Sequence, residues 1–149
     1  MTRKTHKCIV LLYGVLALAG LFDGRSASAD DKKDDKKAAL SGEWVRKEGE
    51  VKIEFDGEGV MKLYPHGENN KLALVFDYTV EKDKRVKVKM TDIEGDEKVI
   101  EKVKEQIPAG MEFSFKWTVK DKTATLDEIK GKEDVIAKLE MLKGEYEKK

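Results

Sequence analysis

His66, Ser41 and Ser114 are the groups, beyond the N-terminal segment, from which acid–base or nucleophilic chemistry could be assembled. A hydrolase needs a nucleophile, a base and a third group that orients the base. His66 sits in Tyr64-Pro65-His66-Gly67, a loop signature, and neither serine lies in a G-x-S-x-G turn. The plain reading of His66 is a surface-loop residue. A structural zinc site draws on several His or Cys, and past residue 29 the chain has one His and no Cys. Asp92, Glu94, Asp96 and Glu97 cluster around Gly95 without the D-x-D-x-D-G order of a calcium loop, so a solvated turn is expected there. The many Asp and Glu offer pairs for glycoside chemistry, yet no spacing singles one pair out. No catalytic residue, metal or cofactor is expected. The chain is read as non-enzymatic, with a small hydrolase as the remaining alternative.

The aromatic residues carry more information. Phe113, Phe115 and Trp117 alternate with Ser114 and Lys116, which puts all three rings on one face of a strand. Trp44, Phe76 and Tyr78 are expected to meet them. These six residues either pack as a solid core or line a cavity for a small hydrophobic ligand, and both readings stand at this point. Lys82, Lys84, Arg85, Lys87 and Lys89 form one basic stretch. Alternation with Val86, Val88 and Met90 makes it an outward strand face, the other reading being an anion-binding strip.

Period-two alternation recurs through most of the chain, as half-buried antiparallel strands require. It runs through Val51–Phe55, Val60–Tyr64, Leu72–Val80, Val86–Met90, Met111–Val119 and Thr123–Asp127. Asp56-Gly57-Glu58-Gly59, Lys82-Asp83-Lys84 and Lys120-Asp121-Lys122 supply turns, and Pro65–Asn70 a loop. Val99, Ile100, Val103 and Ile107 break the pattern and mark one face of a helix from about Asp96 to Gln106, stopped by Pro108 and Gly110. The stretch Val135–Leu142 fits a helix face, while Gly144–Glu147 fits a closing strand. The expected fold is mainly β: a small antiparallel barrel of about seven or eight strands, one inserted amphipathic helix and a short C-terminal helix. A closed barrel removes exposed sheet edges.

The first 29 residues read as a secretory signal. Arg3, Lys4 and Lys7 precede an apolar run from Cys8 to Phe22, and Ala27-Ser28-Ala29 is a small-x-small cleavage site. The run falls short of the ~20 residues that a membrane span needs. The chain has 30 Lys plus Arg against 30 Asp plus Glu. Cleavage removes Arg3, Lys4, Lys7, Arg25 and Asp23, leaving 26 basic and 29 acidic residues on 120, a net charge of −3. That balance argues against nucleic acid as a partner. Without Cys, the exported part has to rely on its hydrophobic core. Residues 30–39, opening D-D-K-K-D-D-K-K, read as a charged disordered leader, and 40–149 as the barrel domain. Export by the general secretory route to the periplasm or the extracellular space is expected. So is a monomer with no stable membrane insertion after cleavage.

Leu40-Ser41-Gly42-Glu43-Trp44 resembles the L-x-G-x-W opening of lipocalin-like domains. The strand and turn of Val51–Gly59, the Phe76–Asp83 strand and turn, and the closing Gly144-Glu145-Tyr146 extend the similarity over about Leu40 to Lys148. The chain resembles the short, secreted, lysine-rich lipocalin-like domains that occur as uncharacterised paralogues in planctomycete-type bacteria. The resemblance implies a barrel in which Trp44 plugs one end, and it implies no reaction. Its helix at Asp96–Gln106 is an insertion in that pattern. Two functions are therefore expected as alternatives: a domain binding a small apolar ligand inside the barrel, or an envelope partner-binding or inhibitor module with a solid core, using Pro65–Asn70 and the helix.

Overall fold

Alternating side chains become eight antiparallel strands in the computed structural model, which describes residues 36–67 and 72–149. The expected signal at 1–29, the start of the expected leader at 30–35 and the loop segment 68–71 lie outside the described residues. A helical segment over 36–40 (α1) precedes the strands β1 (Gly42–Arg46), β2 (Lys52–Phe55), β3 (Val60–Tyr64), β4 (Ala73–Val80) and β5 (Arg85–Glu94). Helix α2 (Glu97–Gln106) leads to β6 (Glu112–Lys120) and β7 (Thr123–Gly131), and α3 (Glu133–Leu139) leads to β8 (Gly144–Lys148). Each strand pairs with the next, and β8 returns to β1 through Trp44↔Lys148 and Arg46↔Tyr146, so the sheet closes into a barrel.

Three differences from the sequence reading have physical causes. Residues 36–39, expected within the leader, are helical, and Lys37 Nζ donates to Glu58 O at 2.9 Å. Strand β5 runs on to Glu94 and β7 to Gly131, beyond the alternation that marked them. Each carries a β-bulge. Opposite Val75–Phe76 the partners jump from Asp92 to Met90, and opposite Ser114–Lys116 from Lys130 to Asp127. An extra residue resets the period, so the buried positions step from Met90 to Ile93 and from Leu126 to Ile129.

The ambiguous tail contains both elements. Val135 and Leu139 are the buried face of α3, a 3-10 turn follows at Glu140–Leu142, and β8 closes the barrel. Helix α2 begins where expected, with Asp96 as its N-cap accepting from Lys98 N. Ile100, Val103 and Ile107 rest on the core, but no α2 residue is fully buried. At the β2–β3 turn Asp56 Oδ1 accepts from the backbone of Glu58, Gly59 and Val60 at 2.7–2.9 Å. Gly57 and Gly59 supply the positive φ angles this turn needs. No helix among the described residues is long and apolar enough to cross a membrane.

Candidate functional site

The barrel brings Trp44, Phe76, Tyr78, Phe113, Phe115 and Trp117 together, all buried and facing inward. Strand alternation puts each on the inner face, and antiparallel register sets their heights. Trp117 is the hub. Its ring lies 5.5 Å from Trp44, 5.5 Å from Phe55, 6.1 Å from Phe115 and 5.3 Å from Tyr146, centroid to centroid. Phe55 continues to Tyr78, and Phe115 to Phe113 and Phe76. Eight rings thus form one continuous edge-and-tilt network, a geometry aromatic pairs favour. The six expected residues line one another in a packed core. Sequence reasoning had not placed Phe55 and Tyr146 in this set, although both sit on period-two faces.

At one end this network borders open space. A recess of about 430 Å³ lies between α1 and the β4–β5 turn. Ala39, Leu40, Val80, Val86, Trp117 and Val119 form its apolar lining, and Lys36, Lys84, Glu81 and Asp83 stand with them. Several bonds hold α1 over the barrel end. Trp44 Nε1 donates to Leu40 O at 2.9 Å, and Tyr78 Oη donates to Lys37 O at 3.4 Å. Burial, with the Asp56 charge adding to it, pushes the Tyr78 hydroxyl up to about 12. Trp117 Nε1 is buried with no hydrogen-bond partner. Unpaired buried donors are uncommon in native proteins, and this one belongs to a side chain lining the recess.

Across the β4–β5 turn lies a charged cleft of about 590 Å³, lined by Lys82, Arg85, Lys116 and Lys130 with Glu81, Asp83 and Glu128. Glu128 Oε2 pairs with Arg85 at 2.8 Å and Oε1 with Lys116 at 3.3 Å. The hydrogen bond from Lys116, reinforced by its charge, holds the Glu128 carboxyl below its ordinary range. At the other barrel end a smaller groove of about 330 Å³ runs between β5 and α2, with Met90, Ile93 and Ile107 in its lining.

The reactive candidates are dispersed. His66 is exposed in the turn after β3, Ser41 lies beside Gly57 at the α1 end, and Arg85 Nη1 donates to Ser114 Oγ at 3.4 Å. The Asp92–Glu97 cluster does structural work: Asp92 accepts from Ile93 N, Glu94 pairs with Lys62, and Asp96 caps α2. Of the basic stretch, Lys87 and Lys89 face outward, and Lys89 pairs with Glu112 at 3.5 Å. Among the described residues no three His, Cys, Asp or Glu side chains converge on a metal-sized site.

Comparisons with protein-family models, curated proteins and solved structures find no match for this chain. The eight-strand antiparallel barrel itself is compatible with a lipocalin-like binding domain.

Proposed function

We propose that this chain is an exported, non-enzymatic, lipocalin-like binding domain that takes a small apolar ligand at the α1 mouth of its barrel. One observation carries the reading. The recess is lined mainly by apolar side chains, and three of them, Leu40, Val86 and Trp117, belong to the buried core. Its volume falls in the ~300–1,000 Å³ range of small-ligand sites. The aromatic network occupies the centre, so the ligand sits against the end of the core and leaves the middle packed. Titration with fatty acids tests this through Trp117 emission: a saturable shift is expected, and an unchanged spectrum at saturating lipid sinks the idea.

The second reading, a solid-core module for an envelope partner, has its own support in α2. That helix leaves Val99 exposed. A partner captured by the intact domain and lost in Val99→Glu, with no fatty-acid response, would favour it.

Export rests on the residue pattern of the first 29 positions. Mass spectrometry of the protein from the producing cell should find Asp30 as its first residue, and a retained Met1 would refute cleavage.

A further inference from the structure

The apolar recess and the charged cleft share a wall. Glu81 and Asp83 line both, and they belong to the turn joining β4 to β5. Taken over both spaces, the lining holds six Lys and Arg side chains against three carboxylates. That surplus of three positive charges stands on a chain whose formal charge is zero, so it is a local field. One of the three carboxylates, Glu128, is already engaged by Arg85 and Lys116.

The backbone adds an independent observation. Asp83 and Lys84 both have φ of 61°, in the left-handed region where glycine is the unstrained residue. The chain keeps a lysine at a position that disfavours it, and that lysine lies in the recess lining. Strain held at a cavity edge is a reason to look for a function of the side chain.

From the apolar lining, the local cation surplus and the strained Lys84, we infer that the mouth takes a single-chain anionic amphiphile. Its alkyl chain lies on Val80, Val119 and the edge of Trp117, and its head group meets Lys84 and Lys36. This rests on the recess being the ligand site. About 430 Å³ leaves room for one medium-length chain and not for a two-chain lipid. Glu81 and Asp83 stand close to the head group, and the cations beyond them in the cleft outnumber them.

The test compares dodecanoate, dodecanol and dodecyltrimethylammonium, each below its aggregation limit, by tryptophan emission and calorimetry at low salt. Dodecanoate is expected to bind about tenfold more tightly than either of the others, with the margin shrinking as salt screens the rim. Lys84→Glu should weaken dodecanoate by about tenfold and leave dodecanol unchanged. Lys84→Gly relieves the backbone, so it should raise the melting temperature while still weakening dodecanoate. Equal affinity for dodecanol and dodecanoate, or Lys84 variants that bind dodecanoate as the parent does, would overturn the anionic assignment while leaving an apolar site in place. Failure of all three probes would instead remove the ligand site itself. Binding to vesicles containing anionic lipid, with no binding of monomeric dodecanoate, would assign the basic rim to a membrane surface and also overturn the inference.

Discussion

Arg85 grips Glu128 at two points: Nη1 donates to the Glu128 backbone oxygen at 3.0 Å and Nη2 to its carboxylate at 2.8 Å. Glu128 is the extra residue of the β7 bulge, and its φ is 45°. A side chain from β5 thus holds a non-glycine residue of β7 in a conformation that glycine would adopt freely. Glu128→Ala keeps the backbone strain and loses the grip on the carboxylate, whereas Glu128→Gly loses the same grip and relieves the strain. The glycine variant should therefore melt at a higher temperature than the alanine variant. Thermal unfolding followed by circular dichroism distinguishes them, and the reverse order would show that the bulge is not strained.

The two tryptophans differ in what their indole nitrogens do. Trp44 Nε1 donates to Leu40 O, while Trp117 Nε1 has no partner. Trp44→Phe gives up a made hydrogen bond, and Trp117→Phe removes a donor that was already unsatisfied. Their cavity terms are similar, so Trp44→Phe should cost about 1 kcal/mol more in urea unfolding. Trp117→Ala removes the hub of the ring network and should cost about 3–5 kcal/mol.

Gly144 opens β8 with φ of 147°, and a Cβ built on it would lie 2.9 Å from Arg46 Nε. That guanidinium is fixed in place, donating to Met141 O and Lys143 O. Gly144→Ala is expected to cost about 1–3 kcal/mol through backbone strain and this contact. Adding Arg46→Ala removes the contact, so the double variant should lose less than the sum of the single losses. Strict additivity in chemical denaturation would show that the two residues do not interact.

Asp56 sets an acid limit on the β2–β3 turn. Partial burial acts to raise its pKa, but three backbone N–H donors and the Lys37 charge outweigh it and hold the carboxyl below its ordinary value. A depressed folded-state pKa stabilises the fold above the ordinary value of 3.8, and the gain is lost as pH falls through the folded pKa. Asp56→Asn should lower stability at neutral pH and flatten the profile in that acid window, so that the two curves converge as pH falls. A difference between the two curves that stays constant from neutral pH into the acid window would count against this role.

The alkaline limit has the opposite origin. Burial first, then the Asp56 charge, keeps the Tyr78 hydroxyl protonated up to about 12, against an ordinary value of 10. The unfolded chain releases that proton earlier, so stability should fall as pH rises from 10 towards 12. Tyr78→Phe should lose part of that slope. The Tyr78 share of the phenolate absorbance, taken as the difference from Tyr78→Phe, should rise only as the barrel opens, and a free titration near 10 in that difference would contradict the buried setting.

Side-chain alternation was enough to locate most strands, because the period of two is a property of each strand alone. The same holds for α2, whose apolar spacing, Asp96 cap and Pro108 stop are all local signals. The interior direction of Phe113, Phe115 and Trp117 followed from that period as well. Even the two bulges left a trace, as the three-residue steps from Met90 to Ile93 and from Leu126 to Ile129, although their meaning depends on the partner strand. Segment 36–40 gave no such trace, since its contacts with Glu58, Tyr78 and Trp44 lie elsewhere in the chain.

Whether six inward rings enclose a hollow or touch is a matter of register and closure, which local patterning does not contain. Trp44 and Trp117 are 73 positions apart in number yet stack edge to face only because β8 returns to β1. The recess likewise exists because α1 and the β4–β5 turn arrive at one barrel end, leaving Lys84 at its edge. Residue spacing identified the walls of this protein, since burial periodicity is written strand by strand. The location of the remaining open space was decided by packing, since a cavity is the volume that side chains from distant strands fail to fill.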